Sequence, residues 1–431
     1  MRTFCSLTIL LTLACDSANH PEVDASMDAG SGDVFDAKVD ADPDVVFDAA
    51  DFSDFAPSPT CGEPGCLRSA TLVGDFTVDD LQPLLEAGVR IDNGYSVWTL
   101  AYATDRAEAL ATVAIPFRAR APLGGYHIVG NNHGTTGVAE SCGLTGTVYG
   151  AGLAGLFGAR GMIGVAPDYP GLGTAGAHPY LVTEIEGRAV LDSLRAARQL
   201  SRWLGLPLSD RFATTGLSQG GHATLAAAMQ HAAYAPDLDI RAFGAAAPAS
   251  AWLEHWQAGA TFDGEHLVYH ALLVQAWTQH YDYAGPSPWA PGFDVMALSR
   301  ACIFNIRDNE VLARVVPQVR SELFSAEFLA AYSTGDWGPY AEFGDYFANN
   351  RIVAFDQSAP LRIYQGDADG TVLEGDTAQM VAALRDGGVD VEYEVVEGGE
   401  HLNVAFGFVA TNELRTEASI AWLRSLLDAS P

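Results

Sequence analysis

The sequence predicts an α/β fold: a mostly parallel sheet covered by helices on both faces, with a mainly helical insertion. Three observations carry that expectation. Short apolar runs ending in glycine-rich loops recur along the chain, stretches with helical periodicity lie between them, and the alternation is interrupted once, for about a hundred residues. With 431 residues, 48% apolar and 18% charged, the chain suits one large domain with a sizeable core plus appendages.

The first fifteen residues, MRTFCSLTILLTLAC, set one Arg ahead of an apolar run too short to span a bilayer, the pattern of an export signal. Ala14 followed by Cys15 resembles a bacterial lipoprotein signal, in which Cys15 would be lipidated, although Thr12 stands where a branched apolar residue is usual. A plain cleaved signal is the alternative. Residues 16–66 read as an acidic tether. Between residues 16 and 60, twelve acidic side chains stand against one Lys in repeated Asp-Ala units without apolar periodicity, so self-repulsion favours an extended, disordered segment. An acidic metal-binding repeat would want glycine turns and regularly spaced ligands, which are missing. The net charge of −31 repels polyanions, so no nucleic-acid partner is expected, and contact with a membrane only through an N-terminal lipid anchor.

Residues 67–251 and 353–431 read as the core. YSVWTLAYAT and ALATVAIPFRA form a hairpin. The strands then end at GYHIVGNNHGTTG, GMIGVAPDYPGLG, RFATTGLSQGG, IRAFGAAAPAS, LRIYQGDADGTV and VEYEVVEGGEH. Val190, Leu194, Ala197, Leu200 and Leu204 share one helical face, and HATLAAAMQHAA, DTAQMVAALRD and ELRTEASIAWLRSLLDA supply further helices. The interruption, residues 252–352, holds 18 of the 43 aromatic residues. Most of these aromatics are expected to fill the insertion's own core. As a lid above the carboxyl ends of the strands, it would also cap the place where ligands bind.

Cys5 lies in the signal. The remaining even set, Cys61, Cys66, Cys142 and Cys302, suits an oxidising compartment, with Cys61–Cys66 a local bridge across CGEPGC and Cys142–Cys302 the long one. No Cys-x-x-Cys pair or His cluster has metal-site spacing, so no metal is expected.

The chemistry centres on GLSQG, a Gly-x-Ser-x-Gly in which RFATT reads as the preceding strand and HATLAAAMQ as the following helix. That context turns a weak pattern into a nucleophile elbow at Ser218. A serine hydroxyl needs a base to take its proton and a carboxylate to orient that base. Later loops supply them in the order acid, then histidine: Asp367 or Asp369 in QGDADGTV, and His401 in EGGEHLN. His222, near Ser218 in sequence, points away from the nucleophile's face and reads as a packing residue. His133 reads as structural or pocket-lining, and His178 as a loop brace. For the oxyanion, the amide of Gln219 at the helix start is one donor, and the second should come from HGTTG or DYPGLG.

HGTTG (133–137), Cys142, APDYPGLGT (166–174), HPYL (178–181), EGRAVLD (186–192) and GLSQGGHA (216–223) together resemble the secretory lipase family, the fungal lipase A type with its exported bacterial relatives. The likeness continues through DADGTV and EH and covers roughly residues 85–425. It implies an α/β-hydrolase fold with a helical lid, an ester hydrolase without a cofactor, Asp369 rather than Asp367 as the acid, and His401 as the base. It also implies Asp168 as the second oxyanion residue and a Cys142–Cys302 bridge between core and lid. Gln219 departs from the fungal members, which carry glycine there.

The expected function is therefore an exported, monomeric serine hydrolase cleaving small-molecule or lipid esters through a Ser218–Asp369–His401 triad. A peptidase or polyester depolymerase on the same triad is the alternative, and a non-catalytic surface-anchored binding protein a third reading.

Overall fold

The computed structural model describes residues 52–429 apart from 87, 118–120, 251–262, 265, 304–313 and 407–412. The signal, Cys15 and residues 16–51 of the tether lie outside the described residues.

Three long strands open the fold: Leu67–Phe76 (β1), Tyr95–Ala103 (β2) and Glu108–Pro116 (β3). They form an antiparallel meander, with Trp98 opposite Val113 in the β2–β3 hairpin. Tyr126–Asn132 (β4), Ile163–Pro167 (β5), Leu208–Leu217 (β6), Asp239–Ala246 (β7), Leu361–Gly366 (β8) and Val391–Val396 (β9) complete one nine-stranded sheet in the order β1-β2-β3-β5-β4-β6-β7-β8-β9. From β5 to β9 every pairing is parallel. Parallel strands are covered on both sides, and β5 is accordingly buried at each of its five residues.

Val148–Gly158 (α1) crosses from β4 to β5, Thr183–Trp203 (α2) from β5 to β6, and Gln219–Tyr234 (α3) from β6 to β7. The apolar face expected on α2 is buried at Val190, Leu194, Ala197 and Leu200. Helices α2 and α3 approach closely because residue 187 is glycine: a Cβ there would collide with the Ala226 backbone. Between β7 and β8 lie Leu267–His280 (α4), Ala326–Thr334 (α5) and Ala341–Asn349 (α6). Glu374–Asp386 (α7) and Glu413–Leu427 (α8) close the chain.

The elements between β7 and β8 have their own interior. Phe328 makes ring contacts with Tyr332, Tyr340 and Phe343, and Trp337 stacks on Phe347. Tyr180, Leu181 and Ile185 of the core join this cluster, so the insertion rests on the HPYL turn and the start of α2. The disulfide Cys142–Cys302 ties it down, as does Ile303, whose amide donates to Thr136 O at 2.8 Å. Asn350, just after α6, accepts from the Thr183 amide through its side chain and from the Thr183 hydroxyl through its carbonyl.

The expected α/β architecture is present, and so is the local Cys61–Cys66 bridge. Two details differ from expectation. Strand β1 was not anticipated: it is an edge strand whose residues are mostly exposed, so it carries little apolar alternation. Residues 52–66, assigned to the tether from the sequence, instead lie along α2. Gln199 donates to Phe55 O and Ala56 O and accepts from the Leu67 amide, and Arg202 sits over the Phe55 ring. The disulfide across the turn-forming CGEPGC supplies a constraint that the Asp-Ala repeats, which carry no cysteine, lack.

Candidate active site

The order β5-β4-β6 means that the chain leaves β4 to one side and returns on the other. The loops after β4 and β6 therefore emerge side by side at the carboxyl edge, the usual position of a ligand crevice in such sheets. Asn132, the last residue of β4, pairs with Gly216 near the end of β6. The HGTTG loop and the GLSQG turn thus start as neighbours, and the Asn132 side chain pins both, donating to Thr214 and Thr224 Oγ1.

Ser218 adopts φ 61° and ψ −119°, outside the usual range for a residue with a Cβ. The turn is held from several sides. Its amide donates to Ala246 O at 2.9 Å, and its carbonyl accepts from His222 and Ala249. Both motif glycines are needed for close approach: a Cβ on Gly216 would meet the Gly220 carbonyl, and one on Gly220 would meet Asn132 O. After the turn, α3 begins at Gln219, whose amide is among the first-turn donors that an α-helix leaves without an intrahelical acceptor.

Strands β8 and β9 end on the same edge. There the structure brings Asp369 and His401 together, with His401 Nδ1 2.8 Å from Asp369 Oδ2. Asp369 also accepts from Gln365 Nε2 through Oδ2, and from the amides of Thr371 and Val372 through Oδ1. Burial pushes this carboxyl up, but the His401 hydrogen bond and charge and the two amides outweigh it, leaving its pKa below the ordinary value. Nδ1–H of His401 therefore faces an ionised acceptor, and in the neutral imidazole this arrangement would leave the Nε2 lone pair free. The loop bearing His401 folds back over the sheet, for Phe406 lies against Gly244 of β7. Asp367, the competing carboxylate, is exposed and accepts from the Gly398 amide, bracing two loops against each other.

His222 is buried and bonded to Ser250 Oγ (3.0 Å) and Thr183 Oγ1 (3.4 Å), and burial pushes its pKa down to about 3. It joins the elbow helix to its surroundings as a neutral side chain. His133 donates through Nδ1 to Gly134 O at 2.6 Å and turns Nε2 toward Asp168 Oδ1 at 3.3 Å. His178 donates through Nδ1 to Pro170 O and is likewise driven to about 3 by burial.

Asp168 is the correction. The resemblance implied an oxyanion role, but its amide donates to Leu110 O at 2.8 Å and its carboxylate accepts from the amides of Leu144 and Thr145. It has no donor left to offer. The HGTTG loop lies closer to the serine: a Cβ on Gly134 would stand 3.7 Å from Ser218 Cβ. Among the described residues, no carbonyl or side chain accepts from the amides of Gly134 or Thr135. Two residues escaped the sequence reading. Gln365, a fully buried amide at the end of an apolar strand four residues before Asp369, orients the acid and was signalled by that polarity. Glu186 is also fully buried and accepts from Gln219 Nε2 at 2.7 Å. It stood in a motif already quoted, without an assigned role.

In a comparison of sequences, the secretory lipase family matches residues 153–254, the stretch from within α1 through the serine turn to eight residues past β7. The fold is similar to that of the α/β-hydrolases, and the matched stretch is similar to the secretory lipases. No curated protein matches the chain. Among solved structures, the rice cell wall degrading esterase LipA from Xanthomonas oryzae is 20% identical, with 84% of this chain and 98% of that chain covered and a TM-score of 0.71. Candida antarctica lipase A is 18% identical, covers 82% of this chain and 80% of its own, and has a TM-score of 0.57. The resemblance read from the sequence is borne out over residues 153–254, and the family match supports a lipase- or esterase-like hydrolase of carboxylic esters. Among the described residues no helix is long and apolar enough to cross a membrane.

Proposed function

We propose that the protein is an exported serine hydrolase that cleaves carboxylic esters through an acyl-enzyme. Ser218 attacks the ester carbonyl and His401 takes its proton through Nε2, then delivers it to the leaving alcohol. Asp369 holds the imidazole in the required tautomer and stabilises the imidazolium. Water hydrolyses the acyl-enzyme with the same groups in reverse. The oxyanion is received by the amide of Gln219 and by an amide of the HGTTG loop, at Gly134 or Thr135. The residues between β7 and β8 act as a lid over an apolar acyl group.

The observation that carries this reading is the Asp369–His401 hydrogen bond on the sheet edge where the strained Ser218 turn also lies. Export is supported by the signal-like first fifteen residues and by the two disulfides, which persist in oxidising compartments. Anchoring through Cys15 extends this reading to the cell envelope. The test is hydrolysis of p-nitrophenyl esters of short and long chains by wild type and Ser218→Ala, with stoichiometric fluorophosphonate labelling in parallel. Activity confined to the wild type, with one label per chain, is expected. Equal activity in both proteins would falsify the assignment.

A further inference from the structure

The motifs HPYL and EGRAVLD resemble the secretory lipases, yet the triad uses neither. In the fold they meet beneath the serine turn. Gln219 is fully buried, and its side chain points away from the helix start into this cluster. Its Nε2 donates to Glu186 Oε1 at 2.7 Å, and it reaches His178 Nε2 at 2.8 Å, the ring nitrogen left as an acceptor because Nδ1–H is given to Pro170 O. Both hydrogens of the Gln219 amide group are thus committed, which fixes the side chain and with it the orientation of residue 219 at the head of α3.

The same oxygen, Glu186 Oε1, accepts from the Leu181 amide at 2.8 Å. Leu181 has φ 55°, a left-handed conformation that costs a branched residue energy and persists only when neighbours hold it. Its neighbour Tyr180 bonds through its hydroxyl to Thr135 Oγ1 at 2.9 Å, and Thr135 belongs to the HGTTG loop. One buried atom therefore anchors both sides of the oxyanion site: Gln219 directly, and HGTTG through Leu181 and Tyr180. Tyr169 supports the same loop from another side, its hydroxyl donating to His133 O at 3.0 Å.

We propose that Glu186 is a positioning residue for oxyanion stabilisation, its carboxyl oxygen Oε1 fixing the two backbone segments that donate to the oxyanion. This rests on the assignment of Gln219 and the HGTTG loop as donors. The role needs an acceptor at Oε1 and no negative charge. It acts on the transition state, because donors displaced from the tetrahedral oxygen still leave the ground-state ester bound.

The experiment uses the full chain and compares Glu186→Leu, Glu186→Gln, Gln219→Leu and the Glu186→Leu/Gln219→Leu double variant. Readouts are kcat and KM on a p-nitrophenyl ester, Tm, and inhibition by a trifluoromethyl ketone, whose serine adduct carries the oxyanion. Loss of a whole donor lowers kcat by about 10²–10³, so displacement is expected to lower it about 10- to 100-fold in Glu186→Leu. KM should stay within about threefold, and the ketone's Ki should weaken by the same factor as kcat. Glu186→Gln, which keeps the acceptor, should restore most of kcat. The double variant should be no slower than the slower single one, because the two side chains act through one contact. Unchanged kcat and Ki in a folded Glu186→Leu protein would overturn the proposal, and so would fully additive losses. If Glu186→Leu does not fold, Gln219→Leu makes the same test, and unchanged kcat and Ki there overturn it equally. Ser218→Ala separates the two levels: activity surviving in that variant removes the serine-hydrolase reading itself. Activity lost there but intact in Glu186→Leu removes only this inference.

Discussion

Asp369→Asn inverts a hydrogen-bond pattern that the structure specifies atom by atom. Oδ1 of Asp369 faces two amide donors, Thr371 and Val372, and Oδ2 faces two more, Gln365 Nε2 and His401 Nδ1. Asparagine offers one oxygen and one NH2. With its oxygen toward the backbone amides, the NH2 meets Gln365 and His401 head on. His401 must then move its proton to Nε2 so that Nδ1 can accept, and that proton occupies the lone pair needed by Ser218. With the amide flipped, the NH2 meets two backbone donors instead. A wrong-tautomer histidine in a serine triad lowers kcat by about 10⁴, which is about 5 kcal/mol in barrier height. The assay is p-nitrophenyl ester hydrolysis at neutral pH, with circular dichroism to check folding and Asp367→Asn as the control. Asp367 accepts from the Gly398 amide at the surface, so its variant should stay within about threefold of wild type. An Asp369→Asn protein within tenfold of wild type, or a crippled Asp367→Asn, would refute the reasoning. The sign of the pH dependence follows as well. Asp369 titrates below its ordinary 3.8, so its ionised form is present above that value and is lost only as pH falls further.

Ser218→Gly should abolish hydrolysis and raise stability by about 1 kcal/mol, seen as a higher Tm, because glycine adopts φ 61° without strain; a lower Tm would contradict strain at the turn. Replacing Cys142 and Cys302 together by Ser opens a link across 160 residues, worth up to about 5 kcal/mol in the chain-entropy model, and denaturant titration of the double variant should show a loss of several kcal/mol. Burial raises Glu186 from 4.5 to about 8, so the stability linked to its proton is full below pH 4.5 and lost as pH rises through about 8. Glu186→Gln should therefore lose less Tm than wild type between pH 6 and pH 9, and identical losses would count against a buried carboxyl.

The legible parts of the site were those in which chemistry and chain order coincide. Ser218 stood between a strand and a helix, and His401 and the two carboxylates Asp367 and Asp369 followed later strands, so the proposed triad could be read up to the choice of acid, which the family resemblance made for Asp369. The choice against His222 was legible for the same reason: a residue four places along α3 shares the helix, not the site. Asp168 shows the limit. The resemblance implied an oxyanion role for it, and only the three-dimensional pairing reveals that Leu110, Leu144 and Thr145 have already taken its amide and its oxygens. Strand β1 was illegible because an exposed edge has no buried face to impose a period of two. Gln365 and Glu186 announced themselves as polar residues in apolar surroundings, a signal of burial that does not name a partner.

Helix α2 runs from the site to the far side of the sheet. Thr183, at its start, lies beside His222, whereas Gln199 and Arg202, in its last turns, grip the backbone and ring of the segment around Phe55. The polypeptide preceding β1 therefore reaches the domain near the edge remote from the serine. A group joined to the chain ahead of Phe55 would thus meet the domain at the end of α2 opposite the His222 end.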